Sequence, residues 1–101
     1  MNNIPLRTRI LLTLQSALLG MVTRNMQAVL VSWDDTNVHV RVMFDRMPNP
    51  ADIELASEIE TEVISHLSEF SVTCGAHACP AAERIQPGPT EVFVFQRARQ
   101  A

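Results

Sequence analysis

The spacing of hydrophobic residues switches between a helical period and a strand-like alternation, and this succession constrains the fold more than any single residue. Six segments follow one another in the order α-β-β-α-β-β. Residues 6–19 carry the first helical pattern, and Gly20 is a suitable C-terminal stop for that helix. The apolar stripe of this helix contains Leu6, Ile10, Leu11, Leu14, Ala17 and Leu18.

The first pair of strands is predicted over residues 26–33 and 38–44, which are rich in apolar and β-branched side chains. The four residues between them, Asp34 to Asn37, are polar and form the turn of a hairpin. Apolar side chains alternate with His39, Arg41 and Met43 in the second strand, which indicates one buried face and one wetter face.

The second helix is predicted to begin at Asn49-Pro50, because Asn caps free backbone amides and Pro is tolerated at the first helical position. It extends to about Ser68. Its expected buried side is formed by Ile53, Ala56, Ile59, Val63, Ile64 and Leu67.

Two further strands complete the pattern. A short strand is predicted over residues 70–74 and the last over residues 91–97. The segment between them, through Pro89, is rich in Ala, Pro and Gly and is expected to be a loop.

These elements predict an α+β fold in which a four-stranded, mainly antiparallel sheet carries both helices on one face. The length of 101 residues predicts a single domain spanning residues 1–101. The other sheet face is expected to lack a cover and therefore to offer an interaction surface. Candidate residues for that face are Trp33, His39, Arg41, Met43, Phe93 and Phe95.

Charge and hydropathy narrow the classes of function. Eleven acidic residues against eight arginines give a net charge of −3, which argues against sequence-independent binding of nucleic acid. No apolar run reaches the roughly 18 residues of a membrane span, and no secretory cleavage site follows the first helix. Two cysteines five residues apart do not make the framework of a secreted disulfide-rich domain. A cytoplasmic protein without membrane contact is expected.

One short segment resembles a metal site. Cys74, His77 and Cys79 offer three zinc ligands, whereas structural zinc normally takes four. His39 or His66 could complete the set only through folding. We therefore predict no metal and no cofactor, and no catalytic thiol, because a catalytic base normally reaches its thiol through the fold.

Acidic residues repeat along the second helix. Glu54, Glu58 and Glu62 recur at four-residue steps, and Glu69 extends their line. Each like-charge pair at this spacing costs about 0.2–0.5 kcal/mol, so helix formation does not require the arrangement. A solvated outer face is one interpretation, and a negative ridge that holds a basic partner is the other. Glu60 lies within the apolar arc, and we expect it at the edge of that arc or paired with an arginine.

Several segments resemble a family of small bacterial α+β proteins that includes immunity proteins of contact-dependent growth-inhibition systems. The similar segments are residues 16–20, 23–29 and 56–64, together with Trp33-Asp34 and Phe44-Asp45. The resemblance implies a cytosolic protein that binds and neutralises a toxin domain, often a nuclease. It favours the ridge interpretation and a toxin with a basic surface. Arg24 stands where the family tends to have Pro, and residues 75–89 have no matching segment.

Two other hypotheses remain open at this point. A homodimeric scaffold would use the uncovered sheet face or the Leu12 and Leu19 pair, which lies outside the apolar stripe of the first helix. A small enzyme would use Glu60, His39 or His77. The first of these ranks above the second, since the sequence fixes no second acid or histidine beside Glu60.

Overall fold

The predicted order of elements is confirmed by a computed structural model, which describes residues 4–80 and 83–98. Two helices and four strands form an α+β fold. In chain order they are α1 (Leu6–Ala17), β1 (Met26–Trp33), β2 (Asn37–Phe44), α2 (Pro50–His66), β3 (Ser71–Ala78) and β4 (Val92–Gln96). Within the described residues, no helix has the length and apolar character needed to cross a bilayer.

The start of α2 is fixed by a reciprocal cap. The Asn49 side chain accepts a hydrogen bond from the Asp52 amide at 2.9 Å, and the Asp52 carboxylate accepts one from the Asn49 amide at 3.1 Å. Pro50 occupies the first helical position, and Arg46 forms an ion pair with Asp52. These contacts confirm the predicted start, while the helix ends at His66, two residues before the predicted end.

The first helix ends at Ala17, two residues earlier than its apolar pattern suggested. The chain then turns through Gly20, whose φ of 78° lies in the left-handed region that favours glycine. Gly20 therefore lies two residues beyond the helix C-cap, Leu18, in the turn that follows α1.

The sheet is mixed, with strand order β3-β2-β1-β4. β1 pairs antiparallel with both β2 and β4, and β3 pairs parallel with β2. The sheet is therefore mainly antiparallel, as predicted. Only four residues, 67–70, separate α2 from β3, so helix and strand run in opposite directions and α2 crosses from β2 to its parallel neighbour.

Both helices bury their apolar sides against one face of the sheet. Ile10 and Leu14 of α1 and Ile59 and Val63 of α2 share a cluster with Phe44 of β2, and all five are fully buried. Burial of side chains of this size stabilises the fold by about 1.5–3 kcal/mol each. This cluster is the main core.

The prediction that the other sheet face is uncovered is wrong. Part of it forms a second, smaller cluster that includes Leu30 and Met43, and Ile85 from the segment between β3 and β4 packs against this cluster. The remaining members of that cluster are Ala28, Cys79 and Phe93.

An ion pair fastens this covering segment to the sheet. Arg41 donates to both carboxylate oxygens of Glu91, at 2.6 and 2.7 Å, and also to the Gln86 carbonyl at 3.3 Å. The hydrogen bonds from Arg41 are the main cause of the lowered pKa of Glu91. His39 alone of the side chains predicted for this face remains exposed, whereas Trp33 and Phe95 pack against the main core.

The third strand is longer than predicted. Pairing of β3 with β2 continues from Ser71 to Ala78, so the first four residues of the segment expected to be a loop after Cys74 belong to the strand. The His77 imidazole folds over Gly75, with its Nε2 atom 2.9 Å from the position that a Cβ atom would take.

A candidate protein-binding surface on the second helix

The outward face of α2 carries the acidic residues that the sequence singled out. Glu54, Glu58 and Glu62 are exposed on successive turns. They point outwards because Ala56 and Ile59, which lie on the opposite side of the helix, are buried against the sheet. We call these three glutamates the acidic ridge.

Most of the ridge is not neutralised by the chain itself. Among the described residues, Glu54 and Glu58 form no ion pair, and Glu62 lies 3.2 Å from the His66 imidazole, which is charged only when protonated. Four arginines are paired with acids elsewhere, in the pairs Arg9–Glu69, Arg41–Glu91, Arg46–Asp52 and Arg97–Asp45. The ridge therefore keeps an uncompensated negative potential.

An open groove of about 700 Å³ runs along this face. Its lining combines carboxylates with apolar side chains, and Ile53 is 57% exposed. The lining residues are Met21, Pro50, Ile53, Glu54, Ser57, Glu58, Thr61 and Glu62. Such a mixed surface can attract a cationic side chain and receive the apolar part of the same partner.

Sequence reasoning missed the apolar part of this groove. Ile53 and Ile64 were assigned to the buried side of α2, but they are 57% and 43% exposed, respectively. Both lie at the edge of the apolar arc, where helical periodicity alone does not show whether a side chain is buried in the core or exposed on the surface. Met21 carried no periodic signal, because it follows the end of α1.

Glu69 lies apart from the groove. It follows α2 and forms an ion pair with Arg9 at 2.5 Å. Hydrogen bonds from its own backbone amide and from Arg9 lower the pKa of its carboxyl group. Of the four predicted partner-binding glutamates, three therefore share one surface and the fourth links the end of α2 to α1.

The hydrogen-bond partner of Glu60 is a backbone amide. One of the two alternatives expected from the sequence was an ion pair with an arginine. The Glu60 carboxylate accepts a hydrogen bond from the Cys74 amide at 3.0 Å, at the outer edge of β3. Burial, aided by the negative charge of Glu60, raises the pKa of the Cys74 thiol to about 12. This geometry gives Glu60 a structural role at the sheet edge.

The candidate zinc ligands are not brought together. Cys74 packs against the main core on the helix side of the sheet, whereas Cys79 belongs to the second cluster on the other side. His77 shares the side of Gly75, away from Cys74. Both cysteines are free thiols, and no group of three or more potential ligands occurs among the described residues.

Comparison with known proteins places the chain in a family. No curated protein matches it at a significant level. The model of the MafI2 immunity protein family, in contrast, matches residues 7–99, a range that includes all four strands and nearly the whole of α1. The chain therefore belongs to the MafI2 immunity protein family.

Proposed function

We propose that this protein neutralises a cognate toxin domain by binding it, and that the acidic ridge docks against a basic surface of the toxin. Membership of an immunity protein family supports the first part. The observation that carries the second part is the exposure of Glu54 and Glu58 beside an apolar groove, without an ion-pair partner among the described residues.

The charge of the ridge fits a nuclease as the toxin. A nuclease holds phosphates with arginine and lysine, so an inhibitor can occupy the same cleft by offering carboxylates in place of phosphates. The similarity to immunity proteins of contact-dependent systems favours delivery of the toxin between cells, with the inhibitor acting in the cytoplasm. On this proposal the protein performs no chemistry itself.

On this proposal, the acidic and the apolar residues of the groove contribute to binding in different ways. Glu54 and Glu58 supply attraction over distances up to the Debye length, about 8 Å at physiological salt, and so raise the association rate. Met21 and Ile53 supply apolar contact area at short range, which slows dissociation.

Charge reversal tests the ridge. The double variant Glu54→Arg and Glu58→Arg should bind the cognate toxin domain at least about tenfold more slowly at low salt, because the attraction that steers association is lost. The salt dependence of the association rate should flatten as well. Stopped-flow measurements at several salt concentrations give both quantities.

The double variant Asp35→Arg and Glu83→Arg is the control with the same change of charge, since both residues are exposed and lie outside the groove. An unchanged association rate in the variant carrying Glu54→Arg and Glu58→Arg would remove the ridge as the docking surface. Absence of binding by the wild-type protein would count against toxin neutralisation itself.

A further inference from the structure

The outer edge of β3 has two residues, Ala76 and Ala78, whose backbone groups lack a pairing strand. The amides of Ser71 and Cys79 bond to carbonyls of Thr36 and Phe44 on the β2 side, at 2.8 and 2.7 Å. Since bonding alternates along a parallel strand, odd-numbered residues of β3 bond to β2 and even-numbered residues direct N–H and C=O outwards. β3 has no strand on that outer side.

Two features close the edge on either side of this opening. The Cys74 amide is occupied by the Glu60 carboxylate, and Pro80, which has no N–H, follows the strand. The amides of Ala76 and Ala78 form no hydrogen bond to another described residue. The side chains of these residues are only methyl groups, and neighbouring Gly75 has no side chain. Another backbone can therefore approach this edge without steric hindrance. Proteins usually protect such edges, because unpaired strand groups invite pairing.

A flank of α2 that carries two exposed isoleucines lies above this edge. Ile53, Ser57, Glu60 and Ile64 follow the spacing i, i+4, i+7 and i+11, so they form one stripe of the helix. The contact of Glu60 with Cys74 places that stripe over the outer side of β3. Ile53 lies seven residues before Glu60, about 10 Å along the helix, and therefore roughly level with His77 on the antiparallel strand.

We propose that β3 pairs antiparallel with β3 of a second copy of this chain, with Ala76 of each copy opposite Ala78 of the other. This register satisfies the open N–H and C=O groups of both residues in both copies and leaves the Glu60 cap in place. The four strands of each copy then join into one continuous sheet of eight. The proposal does not rest on toxin binding, although it uses Ile53, which also lines the groove on α2.

The residues around the open edge of β3 favour a second copy of this chain as the binding partner. The two-fold axis passes near His77, so Ile53 meets its own symmetry mate and its 57% exposed side chain is covered. Glu54 and Glu58 lie about 100° and 140° around the helix from Ile53 and so point away from the axis. The negative charges of the acidic ridge are thereby kept outside the contact, and Glu60, which borders it, has its carboxylate bonded to the Cys74 amide.

Sedimentation of the pure protein from about 10 µM to about 1 mM covers the range in which small interfaces become populated. The weight-average mass should rise towards twice that of one chain. Hydrogen exchange should slow at the amides of Ala76 and Ala78 over the same range, while the amide of His77, which bonds to β2, should stay protected throughout.

The substitution Ala76→Pro removes an outward N–H without removing a bond to β2, and edge strands tolerate proline at such positions. This variant should keep its circular dichroism spectrum and remain monomeric. Leu19→Ser, which changes a 79% exposed residue of the α1–β1 connection, should dimerise like the wild type. A monomer at every concentration, or a dimer that Ala76→Pro leaves intact, would overturn the proposal. So would protection of the two amides only on addition of toxin.

Discussion

Glu60 lies among the apolar residues of α2, and its position there is stabilised because its carboxylate accepts a hydrogen bond from the Cys74 amide. A single sequence shows that a charged residue falls in a hydrophobic arc, but it does not show which backbone group comes within reach. The candidate zinc site failed for a related reason. Side chains alternate across a strand, so Cys74 and Cys79 face opposite sides, which is evident only once residues 75–78 are known to be extended.

The chemistry of Cys74 follows from this placement. A thiol pKa of about 12 leaves about a thousandfold less thiolate than an ordinary cysteine at the same pH. Alkylation of the native protein at about pH 8 should therefore be slow at Cys74 and also at Cys79, which is only 6% exposed. Both cysteines should react fast in denaturant. Rapid labelling of Cys74 in the folded protein would contradict its burial beside Glu60.

At the scale of elements, local signals predicted the starts of helices and strands better than their ends. The Asn49-Pro50 start of α2 was readable because capping depends on adjacent residues. The extension of β3 to Ala78 depends on hydrogen bonds to β2, more than thirty residues earlier in the chain, and no local pattern encodes it. For the same reason, the cover that Ile85 provides for the second sheet face could not be predicted.

The cap of α2 makes stability depend on pH. Burial raises the pKa of Asp52, but the hydrogen bond from Arg46, the Asn49 amide and the Arg46 charge outweigh burial, so the net shift is downward. A carboxyl group with a lowered pKa in the folded state contributes stability above its unfolded pKa and loses it as pH falls through the folded value. The capping contacts of Asp52 should therefore weaken in acid.

Asp52→Asn should lower the free energy of unfolding at pH 7 by about 1 kcal/mol, because it removes the charge that pairs with Arg46. The variant should also lose less stability than the wild type between about pH 5 and pH 2, a range that begins above the ordinary aspartate pKa and extends below it. Denaturant titrations across this range measure both effects. Asp35→Asn, in the exposed turn between β1 and β2, is the control. Parallel pH profiles for Asp52→Asn and the wild type would exclude this role for Asp52.

At the scale of the whole molecule, the fold divides its surface into distinct regions. The helix side and much of the other side of the sheet are occupied by the two clusters. The outward face of α2 and the outer edge of β3 are two of the surfaces that stay open. The sequence predicted the acidic half of the α2 surface from its four-residue repeat, but the groove required tertiary structure, because Met21 and Ile53 approach it from different elements. That residues 1–101 form one cooperative domain stays a prediction.

Titration of the cognate toxin domain with this protein, followed by the toxin's own activity, tests the central claim most directly. Activity should fall linearly to near zero as the ratio approaches one inhibitor chain per toxin, because a tight binder is consumed stoichiometrically. The variant carrying Glu54→Arg and Glu58→Arg should need a marked excess. Full toxin activity in the presence of excess wild-type protein would contradict neutralisation by binding.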